Sequence, residues 1–383
     1  MDKPTVQDIF HRFYPAYLDQ YSPSPVQAKV AHNIMNCKTG AYGANVCVCE
    51  DCGFVQIHYN SCRNRCCPMC QAVPKEMWMD ARREDVLDAP YFHLVFTVPD
   101  ILNPVIYSNQ RLLYDALYHV ASSTISELTA DPKHLGAKVG YICILHTWGS
   151  EMNFHPHIHA ILLGGGLASN NQWKDNGENF FLPIRVISKM FRGKYLEELK
   201  RLWEEDKLVF HGTAEKFRNH YTFKELLDSC YGMDWIPHCK KTFNGAQTVI
   251  KYLGKYTHRI AVSNHRIVCM DDDTVTFLVK DYRNEGQWKE LTISGVEFVR
   301  RFLMHVPPRR FVRIRHYGLL CSRTKSQKLT LCRNLLGCKK YLSKLRDMEM
   351  PEILEHLYGI KVCVCKACGG HLGKPQMKMP LRC

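Results

Sequence analysis

Between residues 32 and 74 the chain carries eight cysteines, Cys37, Cys47, Cys49, Cys52, Cys62, Cys66, Cys67 and Cys70, set among glycines and asparagines with no long apolar period. A segment this short and this polar cannot bury a core of its own and needs a staple to fold. Two strings, Cys49-x-x-Cys52 and Cys67-x-x-Cys70, have the spacing of zinc knuckles. Each sets two thiolates on a tight turn, able to lie ~2.3 Å from one tetrahedral ion. The expectation is a zinc held by Cys49, Cys52, Cys67 and Cys70, with Cys37, Cys47, Cys62 and Cys66 as ligands for a second. Thiolates that fill every position make such a site structural rather than catalytic. Arg63, Asn64 and Arg65 lie between these ligands and face either phosphates or solvent. Near the other end, Cys365-x-x-Cys368-Gly369 is another knuckle and a candidate for a C-terminal zinc. Its partner thiols are left open, with Cys321, Cys332, Cys338 and Cys363 nearby in sequence.

Other features bound the function. The total of 19 cysteines is odd, and Met1-Asp2-Lys3-Pro4 lacks the basic-then-apolar pattern of a secretion signal. In a reducing compartment, paired thiol spacings point to metal rather than disulfides. With 46% hydrophobic and 23% charged residues in 383, the chain is a globular protein with room for two or three domains, not a disordered one. No apolar run approaches the ~18 residues of a membrane span. Lys and Arg number 51 against 37 Asp and Glu, a net +14, and the stretch Arg300–Arg346 alone holds 14 basic residues and no acidic one. The rest of the chain is balanced. That stretch reads as a polyanion-binding surface, with Arg309, Arg310, Arg313 and Arg315 as candidate DNA contacts. No GxxxxGK[ST] loop is present, so nothing points to ATP use.

Periodicity gives a coarse fold. Residues 1–31 read as helical with breaks at Pro23 and Pro25, and residues 75–87 as helical again. His93–Val98 is a strand ended by Pro99, 104–128 an amphipathic helix, Tyr141–Leu145 a second strand, and His155–Leu163 a third, closed by Gly164-Gly165-Gly166. Residues 168–180 read as a loop, 188–230 and 245–257 as helical, and 259–293 as β-hairpins turning at Asp271-Asp272-Asp273 and Asn284-Glu285-Gly286. Strand, helix, strand, strand predicts an α+β domain with helices packed on an antiparallel sheet.

Two patterns carry chemistry. In His155-Pro156-His157-Ile158-His159, residues two apart share a strand face, so a neighbouring pair of imidazoles can hold one metal while Ile158 packs inward. The outer pair would lie ~13 Å apart, and spacing alone does not choose between the two neighbouring pairs. In Tyr252-Leu253-Gly254-Lys255-Tyr256, helical i,i+4 spacing would stack two phenols on one face, with Lys251 and Lys255 adjacent. Beside Val249 and Leu253, the pattern alone favours reading these tyrosines as core aromatics.

Together these strings resemble the two-tyrosine, HUH-type rolling-circle transposases of the "ninety-one" family of insertion sequences. The resemblance rests on Ser61-Cys62-Arg63-Asn64-Arg65 with Cys67-Pro68-x-Cys70, Phe92–Pro99, Leu145-His146-Thr147-Trp148-Gly149, the histidine string with Gly164–Gly166, Tyr252–Thr257, and Ile314-Arg315-His316-Tyr317-Gly318. It runs in order from about residue 30 to the end. It implies an N-terminal helix and zinc-binding module over 1–74, an antiparallel-sheet nuclease domain over 75–300, and a basic DNA-binding region over 301–383. It selects His157 and His159 as the pair holding Mg²⁺ or Mn²⁺, and Tyr252 and Tyr256 as nucleophiles assisted by Lys255. Where members carry a glutamine as third ligand this chain has Ser150, which leaves Glu151 or His146 for that role. Cys66 stands where the family has histidine, and Cys47 can replace a histidine expected at Asn45. The implied activity is nicking and rejoining of single-stranded DNA at element ends through a 5′-phosphotyrosine, in a bacterial, nucleoid-associated setting. The alternatives are a replication initiator or relaxase-type nickase, and a non-catalytic zinc-dependent DNA-binding protein.

Overall fold

Alternation along three strands decides how the molecule is layered. The structure, a computed structural model, describes residues 3–175, 182–235, 238–241, 248, 250, 254, 260–281, 286–374 and 376–378. In chain order the first half holds α1 (Val6–Gln20), α2 (Pro25–Met35), β1 (Ala44–Val48), β2 (Val55–Tyr59), α3 (Ala72–Arg83), β3 (Tyr91–Thr97), α4 (Asn103–Ser108), α5 (Gln110–Ala130), β4 (Lys138–Trp148), β5 (Phe154–Leu167) and β6 (Trp173–Asp175). The second half holds α6 (Ile184–Glu204), α7 (His220–Gly232), β7 (His238–Lys241), β8 (Ile267–Met270), β9 (Thr274–Asp281), β10 (Gln287–Ser294), α8 (Gly295–Met304), β11 (Ile314–Gly318), α9 (Lys325–Leu336), α10 (Met350–Tyr358) and β12 (Gln376–Lys378).

The central sheet has the order β11-β4-β5-β3-β7, with β6 added along β5, and its pairs are antiparallel. On one face Phe92, Leu94 and Phe96 of β3, Tyr141, Cys143 and Leu145 of β4, and Ile158, Ala160 and Leu162 of β5 meet α4, α5, α6 and α7 in the largest core. The opposite parity, Tyr91, Ile142, Ile144, Ile161 and Leu163, packs with Met79 of α3, Ile250, Leu319, Leu320 and α9. The expected α+β architecture, helices on an antiparallel sheet, is what forms. The predicted long helix is broken at Asn109, whose side-chain amide donates to the Val209 carbonyl (2.7 Å) and whose oxygen accepts from the Val209 N–H (2.8 Å). The triple glycine does not close β5: Gly165–Leu167 continue the strand by pairing with β6. Glycine is needed because a Cβ at Gly165 would enter the Trp173 ring.

The three segments drawn from the sequence do not pack separately. α1 and α2 bury Phe10, Phe13 and Ile34 in a second core with Ile267, Phe277 and Val279 of the β8-β9-β10 meander and Phe298 and Phe302 of α8. The approach is close enough that a Cβ at Gly295 would collide with the Phe13 ring. At the other extreme of the chain, β12 pairs with β1 in a sheet ordered β12-β1-β2. Among the described residues no helix is long and apolar enough to cross a membrane.

Candidate metal centres and catalytic site

The antiparallel register sets His146 of β4 directly opposite His157 of β5, and Ile144 opposite His159. The side chains of residues 146, 157 and 159 therefore share the face that does not carry the large helical core. His157 Nε2 lies 3.0 Å from His159 Nε2, and His159 Nε2 lies 3.2 Å from His146 Nδ1. Adjacent ligands on an ion at ~2.1 Å stand about 3 Å apart, so this spacing suits three imidazoles around one metal. Two contacts fix the ring nitrogens. His157 Nδ1 donates to the His155 carbonyl at 2.7 Å, leaving the Nε2 lone pair toward the cluster. His159 Nδ1 meets His93 Nε2 at 2.8 Å; for His159 to present its Nε2 lone pair, Nδ1 carries the proton and donates it to His93. Burial pushes the His157 pKa down to about 3 and that of His159 well below its ordinary value. Both rings are therefore neutral, the form that ligates. Trp148 stacks on His146, with ring centroids 4.4 Å apart.

The third position of this cluster is His146. Ser150 turns its hydroxyl to accept the Lys280 N–H (2.5 Å), and Glu151 is exposed on the β4–β5 turn, its carbonyl accepting from Arg301. Glu151 is thus not among the converging groups, which are His146, His157 and His159. His155 is not in this group either: its ring neighbours that of His157, 5.1 Å between centroids, but its Nδ1 pairs with Asp100 at 3.1 Å. His93 was not anticipated as part of the site. It sits in the Phe92–Pro99 string on the neighbouring strand, and its role follows only from β3 pairing beside β5. Tyr252, Lys255 and Tyr256 lie outside the described residues. Two neighbours are described: Ile250 is buried on the histidine face of the sheet, and a Cβ at Gly254 would collide with Met79 of α3.

The thiols gather into two sets, and neither is the expected quartet of Cys49, Cys52, Cys67 and Cys70. Cys37, Cys62, Cys67 and Cys70 form one, and Cys49, Cys52, Cys365 and Cys368 the other, with all sulfurs of a set within 4.8 Å of one another. Cys62 and Cys70 are 3.8 Å apart, close to the edge of a tetrahedron whose centre lies ~2.3 Å from each sulfur. The Cys62 N–H donates to Cys37 Sγ (3.5 Å) and the Asn64 N–H to Cys62 Sγ (3.4 Å). The Cys49 and Cys67 knuckles are separated because the β1–β2 hairpin carries the first away from the turn before α3 that carries the second. Cys47 and Cys66 join neither set. Cys47 packs with Cys49, Cys365 and Leu372 in a small apolar cluster, and Cys66 is buried in the α1–α2 core, where burial pushes its thiol pKa up.

The basic stretch is only partly a free surface. Arg309 and Arg310 are exposed. Arg313 is buried with its guanidinium over the Trp148 ring (5.8 Å), and Arg315 lies over the Tyr118 ring (4.0 Å) and pairs with Asp115. Lys325 pairs with Asp85 (2.8 Å) and Arg346 with Glu84 (2.6 Å), both acids from the α3 region. The two arginines at 313 and 315 are therefore part of the scaffold behind the histidine strand, because acids and rings distant in sequence meet them in the fold.

Comparison with known proteins agrees with this layout. Residues 9–98 match the model of the transposase zinc-binding domain and residues 140–328 that of a putative transposase family. The chain is 40% identical to "Putative transposase y4qJ" of Sinorhizobium fredii, over 95% of this chain and 93% of that protein. It is 30% identical to the "Transposase for insertion sequence element IS801" of Pseudomonas savastanoi pv. phaseolicola, over 79% of this chain and 72% of that one. A solved structure of the conjugative relaxase TrwC with OriT DNA aligns over 45% of this chain and 68% of its own at 13% identity and a TM-score of 0.26, a likeness too slight to carry any argument. The chain belongs to the IS91/IS801-type family of insertion-sequence transposases that carry an N-terminal zinc-binding domain.

Proposed function

We propose that this transposase cuts and rejoins single-stranded DNA at element ends through a 5′-phosphotyrosine, with His146 Nδ1, His157 Nε2 and His159 Nε2 holding a Mg²⁺ or Mn²⁺ ion. The observation that carries the reading is the convergence of three buried imidazoles on one sheet face, two of which, His157 and His159, burial keeps neutral. Three ligands leave positions open for phosphate oxygens, unlike a closed four-thiolate site. When bound, the ion supplies Lewis-acid polarisation of a non-bridging phosphate oxygen. His93 and the His155 carbonyl hold the rings in the ligating orientation.

Tyr252 or Tyr256 supplies the nucleophile. The phenolic oxygen gives up its proton and bonds to phosphorus, the P–O3′ bond breaks, and the departing 3′-oxygen is protonated. A phenol with pKa near ~10 needs help to ionise, and Lys255 beside it favours phenolate. The phosphodiester energy is kept in the covalent bond, so rejoining needs no nucleotide triphosphate. A second tyrosine lets one DNA end be held while another is cut. Support for placing these residues at the histidines comes from their flanking positions: Ile250 and Gly254 pack on the histidine face of the sheet. The Cys37, Cys62, Cys67 and Cys70 set holds a structural zinc in this reading, and the exposed Arg309 and Arg310 contact the DNA backbone.

The test is a denaturing gel of protein with end-labelled single-stranded element ends. Tyr252→Phe and Tyr256→Phe each keep one phenol and should still form a covalent adduct. The double variant should form none. An undiminished adduct in the double variant would place the nucleophile elsewhere.

A further inference from the structure

The second thiol set joins the two ends of the chain, and the two halves that meet there are built alike. Cys49 Sγ lies 3.5 Å from Cys368 Sγ, and Cys52 Sγ lies 3.7 Å from Cys365 Sγ. Each half is a C-x-x-C-Gly knuckle on a hairpin. In the first, the Cys49 N–H donates to the Phe54 carbonyl (2.9 Å) and the Gly53 N–H to the Cys49 carbonyl (3.0 Å). In the second, the Cys365 N–H donates to the Gly370 carbonyl (2.8 Å) and the Gly369 N–H to the Cys365 carbonyl (3.0 Å), position for position the same. The hairpin strands flanking the knuckles also correspond: Val48 pairs with Val55, and Val364 with His371. Gly53 and Gly369 take the same left-handed conformation, φ 72° and 77°, which closes each turn without a Cβ clash. In the second knuckle, the Ala367 and Gly370 N–H groups point at Cys365 and Cys368 sulfur, both at 3.4 Å.

We infer that Cys49, Cys52, Cys365 and Cys368 form a single zinc ribbon split between the two ends of the chain. The sulfur separations are those of a tetrahedron around an ion at ~2.3 Å, and four thiolates complete it with no open position. Contacts around the ion hold the two halves in register. The Gly373 N–H donates to the Val48 carbonyl (2.9 Å), the Glu50 N–H to the His371 carbonyl (3.1 Å), and β12 pairs with β1 from Ala44↔Lys378 to Val46↔Gln376. The domain matched over residues 9–98 therefore holds only half of this site, and its second half is the C-terminal knuckle. The ribbon tethers the far end of the basic segment to the N-terminal module, independently of how DNA is cut.

The experiment counts zinc in full-length protein purified in reducing buffer. Cys365→Ser/Cys368→Ser should lose one zinc per chain, Cys49→Ser/Cys52→Ser should lose one, and the quadruple variant should lose no more than either pair, because all four share one ion. Unchanged zinc in the first pair, or a second zinc lost in the quadruple variant, overturns the inference. Alkylation mapping of the wild-type protein removes the question of misfolded variants. Cys52, Cys363 and Cys368 are all exposed. Cys363 should react at once, whereas Cys52 and Cys368 should be protected and become reactive together as chelator is added. Cys368 reacting as fast as Cys363 before chelation overturns it equally.

Discussion

Strand β5 gives alternate residues to two faces of the sheet, and both faces are buried but chemically opposite. Ile158, Ala160 and Leu162 meet four helices in a layer built mainly of apolar side chains. His157 and His159, one residue out of step, are only 8% exposed, yet they carry polar nitrogens into a thinner layer. A buried imidazole must be neutral and its nitrogens matched, and here the matching groups are other histidines and a carbonyl. Dryness on the first face supplies stability. On the second it suppresses protonation and keeps lone pairs available. The comparison teaches that the parity of one strand separates what holds the molecule together from what it can do.

The largest expected effect lies on the second face. His157→Ala or His159→Ala should lower metal-dependent cleavage by more than about 100-fold, beyond the loss usual for an outer-shell partner. Unfolding free energy in metal-free buffer should fall by about 0.5–3 kcal/mol, leaving the variants folded. Cleavage rates and denaturant titrations on the same samples decide it, and a variant that unfolds while its folded fraction still cleaves would erase the distinction between the faces. Next is the residue between them. Ile158→Ala should cost about 2–5 kcal/mol of stability through the cavity it leaves. Its cleavage per folded molecule should be preserved at a temperature where it remains folded. Loss of cleavage in a fully folded Ile158→Ala protein would mean that the helical face also shapes the site.

Much of this division could be read from the sequence, and the reasons for the rest are physical. Period two in His155–His159 announced that alternate imidazoles share one face, because strand geometry acts on neighbours along one chain. His146 was legible only as one of two candidates, and His93 not at all, since each joins the cluster through pairing between strands. The thiols show the same limit more sharply. Sequence proximity paired the Cys49 knuckle with the Cys67 knuckle, whereas the fold pairs Cys49 and Cys52 with thiols more than 300 residues away. Local charge counting likewise read Arg300–Arg346 as one open surface, because Glu84, Asp85 and Asp115, which meet it, lie far upstream, and Glu297, which pairs with Arg300 and Arg301, falls just outside the count.

A smaller effect sharpens the comparison at His93. It touches the cluster through His159 and is not one of the three converging ligands, so it acts as a positioning residue. His93→Gln can keep an acceptor for the His159 Nδ1 proton but loses the ring that stacks on His159 at 5.0 Å between centroids. His93→Leu removes the acceptor as well. Metal affinity, read by titrating Mn²⁺ and following its paramagnetic signal, should fall about 10–100-fold in the leucine variant and less in the glutamine variant. Equal losses in both would assign His93 to packing alone.

The smallest effect is expected at His155, and it isolates the role of position from that of residue type. His155 belongs to the same strand parity as His157 and His159, but it sits at the start of β5, where its ring is partly exposed and pairs with Asp100. An exposed pair of this kind contributes about 0–1 kcal/mol. Its carbonyl, not its imidazole, serves the cluster by accepting from His157 Nδ1. His155→Asn retains that carbonyl and a polar side chain. It should therefore leave cleavage within about threefold of the parent, consistent with the small worth of a surface pair, and leave Mn²⁺ affinity unchanged. Parallel rate and titration measurements on His155→Asn and His157→Asn check this directly. A loss at His155 as large as that at His157 would mean that the metal is held by the outer neighbouring pair of the string, and that the face assigned here to His146, His157 and His159 is misread.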